Sequence, residues 1–140
     1  MKQHSFELKV SSTTGELAAI REFIQEKAAQ AGVSQKTIDS IILAVDEAST
    51  NIVKHAYHFD DSKEIKLHLS FEDGNCTVSL TDYGESFDPD KVPNPDMNEY
   101  LKQRRVGGLG LMLIRTLMDF VEYHTVKGKY NRLTMVKRYG

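Results

Sequence analysis

The 140-residue sequence is expected to fold as one α+β domain over residues 1–140, a two-layer sandwich with helices on one face of a mostly antiparallel, mixed sheet. Three observations predict this architecture. Some short segments alternate apolar and polar residues, which is typical of strands with one buried face. Other segments repeat their apolar residues at helical spacing. The two kinds follow one another in the order β-α-α-β-β-loop-α-β-β, which favours helices layered on a sheet.

The first strand and the first helix are predicted between His4 and Gly32. In HSFELKV, apolar residues alternate with charged ones, so one face of the strand is expected to be buried. The following SSTTGE offers Ser and Thr as helix N-caps, with Glu16 in the first turn. Apolar residues then recur at helical spacing, namely Leu17, Ile20, Phe23, Ile24 and Ala28. Gly32 marks the expected end of the helix.

A second helix is predicted from Ser34, which can cap it, to the segment LAVDEASTNIVKHAY. One apolar stripe runs along it, formed by Ile38, Ile41, Ile42, Val45, Ser49, Ile52, Val53 and Ala56. Glu47 and Asn51 lie one turn apart, on the side of the helix opposite to this stripe. They therefore need an explanation other than core packing.

Two strands, a long loop, a helix and two more strands complete the chain. KEIKLHLSFE and CTVSLTDYG alternate around Asp73-Gly74, a strong hairpin signal. The segment 84–106 is rich in Pro, Asp and Asn, and loops of this length within a domain are often functional. GGLGLMLIRTLMD is expected to begin a helix from its glycines, and DFVEYHTV and RLTMVKRY to pair around the turn K-G-K-Y-N.

Composition excludes several classes of protein. The net charge is −2, which provides no basic field for direct contact with nucleic acid. The longest apolar run, around LGLMLI, is far shorter than the ~20 residues of a membrane span. One cysteine, Cys76, leaves no internal disulfide and fits a reducing compartment. With a polar N-terminus as well, the chain is expected to be cytoplasmic and without a targeting segment.

Glu47 and Asn51 are the first candidates for chemistry. The amide oxygen of Asn51 is a hard ligand that suits Mg²⁺ when phosphates and waters complete the coordination. The carboxylate of Glu47, one turn away, could deprotonate a hydroxyl nucleophile. The alternative is an ordinary solvated helix face. His55 and His58 lack partners at zinc-like spacing and are interpreted as surface or helix-end residues.

The segment TDYGESFDP holds the second set of candidates. Asp82 ends a strand, where a buried carboxylate can accept a hydrogen bond from an exocyclic amine such as adenine N6. Gly84 lets the backbone approach a ligand closely, and Phe87 would add apolar surface. The alternative is a simple strand-ending turn, because Asp and Gly both favour turns.

The segment RRVGGLGLMLI holds the third set. Gly107, Gly108 and Gly110 lead into a helix, whose N-terminal N–H groups can bind phosphate. The segment is neither a Walker A loop nor a Rossmann glycine motif, and its glycines could simply permit close packing. Arg104 or Arg105 could contact a phosphate or an acidic partner, or remain solvated.

Taken together, these motifs resemble those of the Bergerat-fold ATPases, from Phe6 to Arg138. The helix with E-x-x-x-N resembles their N box, TDYGESFD their G1 box and GGLGL their G2 box, with residues 84–106 as the ATP lid. Within that superfamily, the chain resembles the anti-sigma factor serine/threonine kinases through E-A-x-x-N-x-x-x-H-A-Y, D-x-G-x-x-F-D and G-G-x-G-L-x-L-I-x-x-L-M-D. Ser86 replaces the second glycine that histidine kinases have in the G1 box, and Val106 separates the arginines from the G2 glycines.

The resemblance implies a protein serine/threonine kinase that uses ATP and Mg²⁺. Asn51 would hold Mg²⁺, Glu47 would be the catalytic base, and Asp82 would bond adenine N6, with Gly84 lining the base pocket. Residues facing phosphates would be Gly107, Gly108, Gly110 and Arg104 or Arg105. Thr134 would match a threonine near the adenine, or is a routine strand residue.

The implied substrate is a serine of an anti-anti-sigma (STAS-type) protein, and the implied second partner is a sigma factor. A homodimer through the first strand is a further expectation. Two other functions stay open. One is a nucleotide-binding switch without kinase turnover, and the other is an ATPase that uses water or a histidine kinase fragment.

Overall fold

The computed structural model describes residues 4–60, 62–85 and 110–140, whose centre is a five-stranded sheet. The strands are β1 (Ser5–Ser11), β2 (Glu64–Glu72), β3 (Asn75–Asp82), β4 (Phe120–Val126) and β5 (Tyr130–Arg138). They lie in the order β1-β2-β3-β5-β4. All four neighbouring pairs of these strands are antiparallel. The α+β sandwich is confirmed, but the expected mixed pairing is absent from this sheet because β5 returns antiparallel to β3.

Three helices are described: α1 (Thr14–Gln30), α2 (Gln35–Asn51) and α3 (Gly110–Leu117). The predicted caps form, since the side chain of Thr13 accepts from the Glu16 N–H and that of Ser34 accepts from the Thr37 N–H. After Asn51 the helix widens into a π-helix over Ile52–Ala56, which the apolar pattern did not predict. None of these helices is long and apolar enough to span a membrane.

The core lies between the sheet and the helices. The inward residues Ile65, Leu67 and Leu69 of β2 are fully buried, as the alternation in the sequence predicted. Burial of such side chains stabilises a fold by about 1.5–3 kcal/mol each. The other face of the sheet carries mainly polar residues, so the domain has two layers rather than three.

Tight turns fix the strand register. Asp73 and Gly74 both have positive φ angles, 53° and 77°, which matches the two-residue hairpin predicted for them. Gly128, with a φ of 79°, lies in the turn between β4 and β5. The predicted lid lies outside the described residues, apart from Gly84 and Glu85.

Candidate active site

Asn51 and Asp82, which are 31 positions apart in the sequence, line one small cavity between α2, the sheet and α3. Its volume is about 20 Å³. Its other walls are mainly apolar and are formed by Ala48, Ile52, Leu80, Leu111, Ile114, Tyr123 and Leu133. Two polar groups in an otherwise apolar concavity are typical of a ligand site, since they fix the orientation of what binds there. The volume has room for about one water, so a larger ligand has to part these walls.

Glu47 and Asn51 share one side of α2 and are each only 8 % exposed. The sequence placed them opposite the apolar stripe, where a lone helix would meet solvent. In the structure α2 packs against α1 and also against α3. Asn51 lines the cavity together with Leu111 and Ile114 of α3. The interpretation as a solvated helix face is therefore wrong. A buried carboxylate and a buried amide one turn apart form a polar strip that leads to the cavity.

The π-helix joins the end of α2 to the sheet. Its wide turn is closed by a hydrogen bond of 3.0 Å from the Tyr57 N–H to the Ile52 carbonyl. The buried Tyr57 hydroxyl donates to the Glu64 carbonyl and accepts from the Tyr83 N–H at 2.8 Å. Tyr57 thereby ties the helix end to the start of β2 and the end of β3. Insertions of this kind frequently mark functional sites.

Asp82 is the most deeply buried acid among the described residues, with 2 % of its surface exposed. Its Oδ1 accepts two hydrogen bonds, from the Gly84 N–H at 3.0 Å and from Asn131 Nδ2 at 2.8 Å. Burial raises the pKa of this carboxyl, and the two hydrogen bonds oppose that rise by favouring the charged form. The hydrogen bonds that the described residues make to Asp82 both end on Oδ1. Its Oδ2 can therefore accept from a ligand.

Gly84 has a different structural role from the one expected. It is absent from the cavity lining, and its Cα packs on the end of the π-helix. A Cβ at this position would lie 2.4 Å from the Ala56 carbonyl oxygen and 2.7 Å from the Tyr57 ring. Only glycine permits this approach without displacement. Gly84 therefore acts on the cavity indirectly, through its N–H bond to Asp82.

Asn131 is a site residue that the sequence analysis missed. It is 1 % exposed, and its Nδ2 donates to Asp82 and, at 3.2 Å, to the Gly84 carbonyl. The alternation of residues along β5 could have identified Asn131, because it shares the inward face of the strand with Leu133 and Met135. A polar residue at an inward position of a strand needs a buried partner.

Thr134 does not reach the site. It alternates with the inward residues of β5, and its hydroxyl lies 3.2 Å from Ser79 Oγ on the opposite face of the sheet. Placing Thr134 beside a base is therefore wrong, and it is the routine strand residue that was the alternative.

α3 brings the third motif to the cavity. Gly110 is the first residue of α3, as predicted, and Leu111 and Ile114 of the same helix line the cavity. Other candidate residues lie outside the described ranges, namely Phe87, Arg104, Arg105, Gly107 and Gly108. The described parts of the three predicted motifs thus converge on one place.

Comparisons with known proteins agree with this convergence. Residues 10–137 match the family described as the histidine kinase-like ATPase domain. A serine-protein kinase RsbW from Oceanobacillus iheyensis is 31 % identical over 137 residues, covering 95 % of this chain and 85 % of the relative. A serine-protein kinase RsbW from Listeria monocytogenes serotype 4a is 37 % identical over 105 residues, covering 72 % of this chain and 67 % of the relative.

Solved structures support the fold. The crystal structure of the RsbU and RsbW domains of a Mycobacterium tuberculosis protein superposes with a TM-score of 0.71 at 20 % identity, covering 97 % of this chain and 32 % of that one. The SiaB–SiaC complex from Pseudomonas aeruginosa gives a TM-score of 0.65 at 15 % identity, covering 94 % and 88 %. At these identities the likeness concerns architecture alone.

Proposed function

The chain belongs to the histidine kinase-like ATPase family and, within it, to the serine-protein kinases, and from this premise we propose that it phosphorylates a serine of an anti-anti-sigma partner and sequesters a sigma factor. Membership of an ATPase and kinase family implies the use of ATP. The proposal adds Mg²⁺, the partners and the roles of individual residues.

One observation carries the proposal. Asn51 of α2, Asp82 of β3 and Leu111 of α3 line the same cavity, although they come from three separate motifs of the sequence. Purely structural roles for these three segments do not explain why two buried polar groups lie together in the cavity that the segments line. Their meeting supports a ligand that contacts all three segments.

The chemistry of the cavity suits a purine base. Asp82 offers a carboxylate oxygen to an exocyclic amine, and apolar side chains surround it. The cavity of about 20 Å³ is smaller than a base, so a base has to part the walls, one of which is α3. Since the residues before Gly110 are those of the G2 motif, base binding and phosphate binding would be coupled through α3.

Asn51 and Glu47 would act at the phosphate end of the site. Asn51 would hold Mg²⁺ through its amide oxygen, a ligand that suits this cation when phosphates and waters supply the other positions. Glu47, one turn earlier on the same side of α2, accepts the proton of the incoming serine hydroxyl. ATP would supply the phosphoryl group: as the bond between the serine Oγ and the γ-phosphorus forms, the bond from that phosphorus to the β–γ bridging oxygen breaks, and ADP leaves. The phosphate contacts assigned to Gly107, Gly108, Gly110 and one of the two arginines complete the proposal.

The partner assignment rests on the relatives. The serine-protein kinase names imply a protein substrate, and the SiaB–SiaC structure is a complex of two proteins on a fold of this kind. A homodimer through β1 is compatible with the sheet, in which β1 is an edge strand. The exchange of partners would take place in the cytoplasm.

The decisive experiment is phosphoryl transfer. The purified chain is incubated with labelled ATP, Mg²⁺ and its cognate anti-anti-sigma (STAS-type) protein, and acid-stable label on serine is the expected product. Asn51→Ala should abolish transfer because the metal is lost. Glu47→Gln should retain nucleotide affinity but reduce transfer by ~10²-fold or more, which is the usual effect of removing a general base.

Other outcomes identify the alternatives. ATP binding without label on any partner, with Glu47→Gln behaving like the native chain, would indicate a switch without turnover. Free phosphate as the main product would indicate hydrolysis by water, and acid-labile label would indicate histidine phosphorylation. Failure to bind ATP at all would refute the proposal.

A further inference from the structure

A chain of hydrogen bonds reaches the cavity from the edge strand β4 through β5. The Thr125 hydroxyl on β4 donates to Asn131 Oδ1 on β5 at 3.1 Å. Asn131 Nδ2 in turn donates to Asp82 Oδ1 on β3 at 2.8 Å. Thr125 and Asn131 are directly opposite in the β4–β5 register, and Asn131 and Asp82 are opposite in the β3–β5 register. Three adjacent strands thus contribute one residue each to a single row.

The chemistry of the row fixes the orientation of every group in it. An ionised carboxylate only accepts hydrogen bonds, so the NH₂ group of Asn131 must face Asp82. The carbonyl of Asn131 then faces Thr125, whose hydroxyl can donate. The Gly84 N–H adds a second donor to the same oxygen of Asp82. Because the torsion at the end of an Asp side chain is soft, these bonds determine where Oδ2 points.

We propose that Asn131 is a positioning residue that holds Asp82 as a hydrogen-bond acceptor, and thereby makes the site select 6-aminopurine over 6-oxopurine nucleotides. This inference rests on the proposed function, because it requires that a purine nucleotide occupies the cavity. It adds a determinant of base selectivity that lies outside the three motifs of the sequence.

Selectivity follows from which groups meet in the buried site. A carboxylate oxygen accepts from a 6-amino group, whereas it repels the lone pairs of a 6-oxo group. A protonated carboxyl is also a donor and would tolerate the 6-oxo group. Asn131 keeps Asp82 in its acceptor form, because its hydrogen bond opposes the rise in the pKa of the carboxyl that burial causes. Removal of the amide would both loosen the carboxylate and favour its protonation.

Calorimetric titrations of the 140-residue chain with ATP and with ITP, in Mg²⁺ buffer, test the inference. These nucleotides differ at position 6 of the base, where one carries an amine and the other an oxo group. For the native chain, the affinity for ATP is expected to exceed that for ITP by about tenfold or more, since the wrong base leaves a buried charged acceptor unpaired. In Asn131→Leu, which keeps the side-chain size, the ratio should fall to about threefold or less.

Two further variants make the test specific. Thr125→Val removes the hydrogen bond that the Thr125 hydroxyl donates to Asn131 Oδ1 and leaves the Asn131 amide in place. The ATP-to-ITP affinity ratio of this variant should therefore lie between those of the native chain and Asn131→Leu. Asn75→Leu makes the same chemical change at the other end of β3, where Asn75 pairs with Arg138, and should leave the ratio unchanged. If Asn131→Leu does not fold, a lowered ratio in Thr125→Val still supports the inference, and a native ratio in it overturns the inference.

Failure of the inference differs from failure of the proposed function. A native chain that prefers ATP, together with an Asn131→Leu variant that keeps the full preference, overturns the role of Asn131 and leaves the kinase proposal intact. If the native chain binds ATP and ITP equally, Asp82 does not determine which base is bound, and the inference is overturned. A native chain that binds neither nucleotide refutes the proposed function, and the inference with it.

Discussion

Gly84→Ala is the substitution whose effect the structure defines most sharply. The added methyl group would lie 2.4 Å from the Ala56 carbonyl oxygen and 2.7 Å from a ring carbon of Tyr57. Both distances are far inside van der Waals contact, and the first involves backbone that cannot rotate away. The strand end and the π-helix must therefore separate. The 2.9 Å hydrogen bond from the Glu85 N–H to the Ala56 carbonyl spans the same contact.

The expected cost follows from what has to move. Insertion of a methyl group into a well-packed site typically costs about 1–3 kcal/mol. For a domain of this length that corresponds to a fall in Tm of roughly 3–12 °C. A displacement of Gly84 also moves the N–H that donates to Asp82 and the carbonyl that accepts from Asn131. Nucleotide affinity should therefore fall together with stability, although Gly84 does not line the cavity.

Urea unfolding and ATP titration of the same preparations measure the two effects. The matched control is Gly15→Ala in the first turn of α1, where a Cβ would meet nothing within 4 Å. Because alanine is the better helix former, that variant should be unchanged or more stable by up to about 1 kcal/mol, with native affinity. A Gly84→Ala variant with native stability and native ATP affinity would refute the close contact and the indirect role assigned to Gly84.

Four further predictions concern two side chains, Tyr57 and Asp82. Tyr57→Phe leaves the Glu64 carbonyl and the Tyr83 N–H without their partner and should cost about 1–3 kcal/mol in urea unfolding. Burial raises the pKa of Tyr57 from 10.0 to about 12, so the folded state keeps a proton that the unfolded state releases. Native stability should therefore fall between about pH 10 and 12 by more than that of Tyr57→Phe, and equal slopes would contradict the burial. Asp82→Asn should lower ATP affinity by about tenfold or more in calorimetry, because it replaces a charged acceptor, and native affinity would exclude Asp82 from base binding. Asp82→Asn should also be more stable than the native chain at pH 7, because the raised pKa of Asp82 means that its charged form destabilises the folded state. This difference in stability should disappear below about pH 4, where Asp82 is protonated in both the folded and the unfolded state.

The fold was largely predictable because its elements are locally encoded. The five alternating segments all form strands within two or three residues of the predicted bounds, and the caps Thr13 and Ser34 begin α1 and α2. The π-helix was not predictable, since IVKHA continues the apolar stripe of α2 and nothing in it signals a wider turn. Its stability depends on the bonds of Tyr57 to β2 and β3, which exist only once the sheet has formed.

The site was predictable only where a motif carries its own chemistry. Glu47, Asn51 and Asp82 could be named from residue type and spacing, and the structure buries all three. The errors concern residues whose role depends on which face of a strand they occupy. Thr134 and Asn131 are three positions apart on β5, so they point to opposite faces of the sheet. A register was needed to show that Asn131, and not Thr134, is opposite Asp82.

Asp82 illustrates why a functional interpretation of this site is favoured over a structural one. Burial raises the pKa of the carboxyl, which means that the folded state disfavours the charged form of Asp82 relative to the unfolded chain. An asparagine at the same place could accept the same two hydrogen bonds, from Gly84 and Asn131, without that cost. A carboxylate that lies at a structural cost in a cavity with mainly apolar walls favours a role for its charge in binding. Since only Oδ1 is held by the described residues, the charge is available at Oδ2, on the side where a donor from a ligand would complete the hydrogen bonding.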